Sequence, residues 1–139
     1  FPGGLGGLRD WPGERSLATS RANRAAGAWT TFQGLGLRRL RAAIAESHAR
    51  ARRFAETARA LPGWQVRPEP QGPVVLLEPA PRDDRAVLRA ATRLQQDGDA
   101  VVTPCRRPGG LALRVSTLGH RTADADIEQL AASLRRLAR

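Results

Sequence analysis

Residues 100–117, AVVTPCRRPGGLALRVST, decide which fold this sequence can form. Two runs of mostly aliphatic residues, 100–105 and 111–117, flank the turn sequence RRPGG. Pro and Gly interrupt regular structure, and each flanking run has the length and composition of a short strand. The stretch therefore predicts two antiparallel strands joined by a tight turn.

A second strand pair, followed by a helix, precedes this hairpin. Residues 64–67 and 74–78 are strand-like runs separated by the Pro/Gly-rich turn PEPQGP. Residues 84–96 place their apolar side chains at helical spacing on one side, and Gly98 is the predicted end of that helix. The two strand pairs are not similar in sequence, so they are not an internal repeat.

A last helix follows the second strand pair. Thr122 is its predicted cap, and Asp124 and Asp126 lie in its first turn, where the helix dipole favours negative charge. Its predicted inward face consists of Ile127, Leu130, Leu134 and Leu137. The order β-β-α-β-β-α favours a small, mostly antiparallel sheet with helices packed on one face.

Helices dominate the part of the chain before the strands. We expect connecting helices in residues 16–61, interrupted at Gly34 and Gly36. From residue 37 to residue 61, apolar side chains recur at steps of three and four, which predicts a long amphipathic helix. Its predicted stripe consists of Leu37, Leu40, Ile44, Ala51, Phe54, Ala55, Ala58 and Leu61.

These elements predict an α+β protein in three segments. Residues 1–15 hold five Gly and two Pro and form a Gly/Pro-rich segment. Residues 16–61 form the connecting helices, and residues 62–139 form the small α+β domain.

The charge of the chain raises one alternative function. The formal net charge is +10, and every basic side chain other than the two His is Arg. Basic surfaces attract nucleic acid, so a stand-alone basic α+β module that binds RNA or a protein partner is a second hypothesis. The Arg residues do not form one block, and no RNA-binding or helix-turn-helix signature accompanies them, so we expect no nucleic acid.

The sequence offers little material for an active site of its own. The single cysteine, Cys105, excludes an internal disulfide and a cysteine-rich zinc site, and the spacing of His48 and His120 predicts no metal site. Neither a phosphate-binding glycine motif nor a nucleophile near a His is present. No apolar run is long enough to span a membrane, so we expect a cytoplasmic protein without a membrane partner.

The sequence contains no Met, and it starts with Phe-Pro-Gly-Gly. Translation does not start at such a sequence. We therefore expect the chain to be a natural subunit, a proteolytic product or another piece of a longer protein.

Several motifs resemble one enzyme family and occur in the same order as in that family. Residues 20–29, SRANRAAGAW, and residues 34–37, GLGL, are similar to the Arg-x-x-Arg-x-x-x-x-Trp and Gly-x-x-Gly-Leu motifs of the group II pyridoxal-phosphate (PLP)-dependent decarboxylases. This family includes the aromatic-L-amino-acid and glutamate decarboxylases. Upstream, residues 8–11 resemble the segment that leaves the family's mobile catalytic loop.

The second half of the chain continues the resemblance. Residues 98–103 and 110–115 resemble the family's strand pair that ends in Leu-Arg, and residues 122–130 resemble the Thr-x-x-Asp-Ile start of its final helix. Nearly the whole chain is covered. The resemblance implies the C-terminal part of a fold-type I PLP enzyme, with residues 1–15 as the end of the catalytic loop.

The resemblance implies that the catalytic residues lie in another chain or segment. In the family, a lysine holds PLP as a Schiff base, and this lysine lies in the large domain. The present sequence contains no Lys. It also contains no Tyr, and in the family a tyrosine of the mobile loop returns a proton to the substrate carbon. We therefore expect a large N-terminal partner chain that carries the PLP lysine, and a dimer of the complete unit resembling a heterotetramer.

Three residues are the candidates for supporting that active site. Arg114 matches the Leu-Arg position, where a guanidinium suits a carboxylate or a loop anchor, although a structural salt bridge would explain it equally well. Arg21 is placed by the resemblance near the loop and the large domain. His120 stands where the family commonly has Asn, in the turn before the last helix.

The resemblance implies a carboxy-lyase that removes CO2 from a small L-amino acid, with an aromatic amino acid as the default substrate. Decarboxylation coupled to oxidative deamination is a third possibility. The cofactor would be PLP, bound mainly by the partner chain.

Overall fold

A computed structural model describes residues 23–119 and 121–137. The described elements follow the predicted order. They are α1 (Arg24–Ala58), β1 (Trp64–Val66), β2 (Val74–Pro79), α2 (Asp84–Gln96), β3 (Thr103–Arg107), β4 (Gly110–Ser116) and α3 (Asp124–Leu137). Within these residues, no helix is long and apolar enough to cross a membrane.

Helix α1 is interrupted at one of the two predicted glycines. Gly36 has a positive φ of 72°, which L side chains rarely adopt, whereas Gly34 is helical. Asn23 caps the start, because its side-chain oxygen accepts a hydrogen bond from the Ala26 N–H at 3.2 Å. The chain divides into two compact units just after Gly36, between Leu37 and Arg38.

The predicted apolar stripe of α1 is correct in its second half and wrong in its first half. Phe54 and its neighbours Ala51, Ala55 and Ala58 are buried, but Ile44 is exposed. In the first unit, every described residue of α1 up to Leu35 is exposed, including Trp29. An apolar stripe is buried only where another element covers it, and the sequence pattern does not contain that information.

The four strands form one antiparallel sheet in the order β1-β2-β4-β3. Strand β2 pairs with β4 in the register Val75 opposite Val115, and β4 pairs with β3 in the register Leu113 opposite Pro104. The predicted α+β class and the antiparallel sheet are therefore confirmed.

The three helices and one face of the sheet share a single core. Val75, Leu77, Leu113 and Val115 form its floor, and α1, α2 and α3 contribute its helical side chains. The helical contributors are Ala51, Phe54, Ala55, Ala58, Val87, Ala90, Ala91, Leu94, Ile127, Leu130, Ala131 and Leu134. Thr117 ties β4 to α1, because its buried hydroxyl donates to the Ser47 carbonyl at 2.8 Å. We call this side of the sheet the first face.

The hairpin of residues 100–117 differs from the prediction at its start and its turn. Strand β3 begins at Thr103 because the Asp99 and Ala100 N–H groups both donate to the Leu94 carbonyl and continue the end of α2. The turn is shorter than RRPGG, since Arg107 pairs with Gly110 and leaves two residues between the strands.

Helix α2 is capped by a side chain at its start and by a turn at its end. Asp83 accepts from the Arg85 N–H at 2.9 Å at the start. The C-cap is Asp97, and the predicted Gly98 follows it with φ 74°, the left-handed conformation expected after a helix. At α3 the Asp126 carboxylate accepts from the Ala123 N–H at 2.8 Å.

Asp99 holds the end of α2 against α3. Its carboxylate accepts from the Arg136 guanidinium at 2.8 Å and from the Gln129 amide at 3.3 Å. The Ser133 hydroxyl, together with these two groups, lowers the pKa of Asp99 below its usual value and outweighs the effect of partial burial.

Phe54→Ala should destabilise the protein by about 3–5 kcal/mol, because Phe54 has no exposed surface and its removal leaves a cavity in the core. The matched control is Phe32→Ala on the same helix, where the ring is 44% exposed and the expected loss is below about 1 kcal/mol. Urea unfolding measures both changes. Equal losses of unfolding free energy for the two variants would contradict the position of Phe54 in the core.

Asp99→Asn should change how stability depends on pH. The folded pKa of Asp99 is lowered, so its contribution to stability is present above the ordinary aspartate pKa of about 3.9. That contribution is lost as the pH falls from there through the lowered pKa. Unfolding curves of wild type and variant should therefore differ at neutral pH and converge in acid.

The control for this experiment is Asp97→Asn in the same loop. Asp97 pairs with Arg93 of the preceding helix turn at 3.0 Å, and both side chains are exposed, so the pair contributes little to stability. A constant difference between wild type and Asp99→Asn across the whole pH range would contradict the role given to Asp99.

Candidate functional site

The sheet has a second face, opposite the helices, and Arg114 lies on it. Strand residues alternate between faces, so Arg114 points away from the core that Leu113 and Val115 enter. The second face consists of Gln65, Val74, Leu76, Glu78, Thr103, Cys105, Arg107, Ala112, Arg114 and Ser116. None of these residues belongs to the core cluster of the described chain.

Arg114 occupies the middle of this face. It stands between Leu76 on β2 and Thr103 on β3, and its side chain is exposed. No ion pair or side-chain hydrogen bond between described residues includes Arg114. The structural salt bridge considered from the sequence is therefore not formed within residues 23–119 and 121–137.

A buried carboxylate lies farther along the same face. Glu78 is 6% exposed, and its Oε2 accepts a hydrogen bond from Arg82 at 2.7 Å. The Nε of Arg107 lies 3.6 Å from Glu78 Oε1, too far for a hydrogen bond. This Nε is buried and has no hydrogen-bond partner in the described structure.

The start of β4, just after the hairpin turn, contacts the start of α2. Asp84 Oδ1 accepts from the Leu111 N–H at 2.7 Å, which joins the helix start to β4. A Cβ at Gly110 would come within 2.6 Å of the same oxygen, and Gly110 has φ 139°. The site therefore requires Gly at this position, because any side chain would displace the Asp84 carboxylate.

The structure brings together a different set of residues from the one predicted. Arg114 is present on the second face, whereas Arg21 and His120 lie outside the described residues. Glu78, Arg82 and Arg107 were not predicted as site residues from the sequence. Glu78 could have been found from the sequence, because it ends the apolar run VVLLE. A carboxylate that is buried at such a position needs a cationic partner.

A separate groove lies on the other side of the domain. It has a volume of about 740 Å³ and lies between the start of β1 and α2, with Trp64, Pro79, Leu88 and Leu137 among its lining residues. Its arginines, Arg89 and Arg93, pair with acidic residues of the domain at 3.0 Å. No cluster of potential metal ligands occurs in the described part of the chain.

Glu78→Gln should destabilise the protein by roughly 1–3 kcal/mol, because it leaves Arg82 and Arg107 without the buried charge that they flank. Glu69→Gln is the matched control. Its ion pair with Arg59 is exposed, with side-chain exposures of 71% and 48%, so its loss should cost less than about 1 kcal/mol. Denaturant unfolding that gives the same value for both variants would contradict this assignment.

Comparison with solved structures gives many matches, although no family model and no curated protein sequence matches the chain. Oryza sativa TDC, in a structure with PLP and tryptamine, has a TM-score of 0.79 and 17% identity. That match covers 90% of this chain and 28% of the rice protein. Rhodiola rosea 4-hydroxyphenylacetaldehyde synthase has a TM-score of 0.78 and 18% identity, over 91% of this chain and 28% of that one.

A bacterial structure matches the same fold. It is the glutamate decarboxylase domain of diaminobutyrate-pyruvate transaminase and L-2,4-diaminobutyrate decarboxylase from Vibrio parahaemolyticus, with a TM-score of 0.69 and 22% identity. The match covers 82% of this chain and 25% of the Vibrio chain, so this chain spans less than a third of the proteins it matches. The chain therefore has an α+β fold. It resembles the C-terminal domain of the group II PLP-dependent decarboxylases.

Proposed function

We propose that this chain is the C-terminal domain or small subunit of a PLP-dependent L-amino-acid decarboxylase. The observation that carries the proposal is the structural match to PLP decarboxylases over about nine tenths of the chain. The order of the motifs in residues 8–37 and 98–130 supports it independently.

The residues of this chain do not fit PLP by themselves. The sequence has no Lys, so no side chain can hold the cofactor as a Schiff base. The groove at Trp64 lies on the helical side of the domain and carries two arginines already paired with carboxylates. The proposal therefore places the cofactor, the lysine and the bond-breaking step in a large partner chain or segment.

The role proposed for this chain is to position groups of the complete enzyme. A rigid sheet with a common core can present its second face to the large chain and hold Arg114 at a fixed place. Reactions of this type depend on exact placement and exclusion of water, which a docked domain supplies without touching the reacting atoms. Arg114 is proposed as a supporting residue, and the roles of Arg21 and His120 stay predictions.

The reaction class would be loss of CO2 from a small L-amino acid. PLP supplies the electron sink that stabilises the carbanion left when the carboxylate departs. Dimerisation of the complete unit and a cytoplasmic location are further parts of the proposal.

The rival function, a basic module that binds RNA, has less support. The positive charge is spread over the domain, and part of it is paired: Arg53, Arg59, Arg82, Arg89, Arg93 and Arg136 each lie within 3.0 Å of a carboxylate oxygen. Nucleic-acid binding depends on a continuous set of free cations along one surface. The structural matches reported above include a glutamate decarboxylase domain, and none of them favours the rival.

The complete protein, isolated through an affinity tag on this chain, should contain a Lys-bearing segment of roughly 300 residues, as the share of the matched chains covered implies. It should absorb visible light through lysine-bound PLP. Borohydride reduction followed by peptide mapping should then find PLP on a lysine outside the 139 residues. Incubation with a panel of L-amino acids should release CO2.

Product analysis distinguishes the remaining possibilities in the same experiment. An amine product supports simple decarboxylation, whereas an aldehyde product shows the oxidative route. A colourless preparation of this chain alone, without a Lys-bearing partner and with salt-dependent RNA binding, would contradict the proposal.

A further inference from the structure

We propose that the groove beside Trp64 binds an uncharged, apolar small molecule that carries a hydrogen-bond acceptor. The groove lies wholly within the second compact unit, between the start of β1, the end of β2, α2 and the end of α3. Binding here is independent of the decarboxylase function, because no group of the groove is assigned a part in that reaction.

The groove has the size and the rigid walls of a preformed ligand site. Its volume of about 740 Å³ lies within the range of roughly 300–1,000 Å³ that small-molecule sites occupy. Pro62, Pro79 and Pro81 line it, and proline fixes the backbone φ angle. The Ala80 N–H donates to the Gly63 carbonyl at 2.9 Å, which joins the chain after β2 to the chain before β1. Such walls lose little conformational freedom when a ligand binds.

Two exposed leucines line the groove from different helices. Leu88 on α2 is 49% exposed, and Leu137 at the end of α3 is 40% exposed. A single exposed leucine is ordinary in a folded protein. Two that line one concave surface together with Trp64 form an apolar patch, and such patches mark binding sites. An apolar occupant would remove both leucine side chains from water.

The charges at the rim of the groove are already compensated. Arg89 pairs with Asp83, and Arg93 pairs with Asp97, each at 3.0 Å. A charged ligand would have to break one of these ion pairs to find a partner, whereas an uncharged ligand leaves both in place. Because burying an unpaired charge is costly, the groove favours an uncharged molecule.

Trp64 supplies the polar contact that orients the ligand. The residue is 8% exposed and lines the groove, and its indole N–H donates to no described residue. Arg107 Nε is the only described side-chain atom that is buried without a partner, so the Trp64 nitrogen retains contact with solvent. A buried tryptophan usually finds an acceptor for its N–H. A ligand with an acceptor would complete this hydrogen bond while its apolar body packs beside the ring.

Macromolecules fit the groove less well than a small molecule does. A nucleic acid requires free cations, and both arginines of the rim are paired. An extended peptide would pair with β1, the edge strand beside the groove, but β1 has only 3 residues. Neither occupant would use the apolar surface at Leu88 and Leu137.

Nile red tests the proposal in the complete protein, isolated through a tag on this chain. The dye is uncharged, carries a carbonyl acceptor, brightens in apolar surroundings and emits far from the absorption of PLP. It should bind wild type with a saturable rise in fluorescence. Leu88→Gln and Leu137→Gln should each weaken binding roughly tenfold, because each replaces apolar surface of the groove with a polar group. Leu118→Gln, at a leucine that is 63% exposed and outside the groove, is the matched control and should bind like wild type.

Three β-substituted naphthalenes, used as competitors of Nile red, test the chemistry of the ligand. Acetonaphthone carries a carbonyl acceptor, ethylnaphthalene has nearly the same shape without one, and naphthoate is an anion. The affinity of acetonaphthone relative to ethylnaphthalene should fall roughly fivefold in Trp64→Phe, because this variant keeps an aromatic ring and lacks the N–H donor. Naphthoate should compete more weakly than acetonaphthone, since the arginines of the rim are paired.

Several results would overturn the proposal. Absence of Nile red binding, or equal affinity in wild type and both leucine variants, would refute the groove as the site. A relative affinity unchanged in Trp64→Phe would refute the hydrogen bond, and naphthoate as the strongest competitor would refute the uncharged class. Trp64 is buried, so the two leucine variants keep the test decisive if Trp64→Phe fails to fold. Lysine-bound PLP is measured separately on the same preparation, so the proposed function and the groove can fail independently.

Discussion

A four-stranded sheet has two faces, and the helices of this chain cover one of them. Val75, Leu77, Leu113 and Val115 are buried beneath three helices in one core. The alternation of side chains then fixes what the opposite face presents, because a residue beside each core position must point the other way. The positions of Arg114 and Glu78 on the second face follow from this division.

The second face could not have been recognised from charge alone. The +10 net charge suggests a nucleic-acid surface, yet many of the arginines form ion pairs within the domain. Within the described residues, Arg114 is exposed at the middle of the second face, and the buried Nε of Arg107 has no hydrogen-bond partner. A burial pattern and an ion-pair map are needed to see this, and neither can be read from composition.

The sequence predicted the turns and helix ends well, because these depend on residues that are adjacent in the chain. The turn residues Pro108 and Gly109 and the helix-end residue Gly98 act over a few residues, so they helped to predict the order β-β-α-β-β-α. The sequence also contained the motif order that resembles the decarboxylases. The errors arose from tertiary effects: Ile44 is exposed although it fits the stripe, and Ala100 completes a helix end instead of starting β3.

The candidate site was predicted less completely, for the same reason. Arg114 was identified through resemblance, but its neighbours Glu78 and Arg107 come from strands distant in sequence, and only the register brings them onto one face. Arg21 and His120 lie outside the described residues, and their roles rest on resemblance alone.

The structure of the complete enzyme would test the central claim most directly. We predict that the second face lies against a Lys-bearing part that holds PLP on one of its lysines. A second face open to solvent, or a complete protein without lysine-bound PLP, would contradict this.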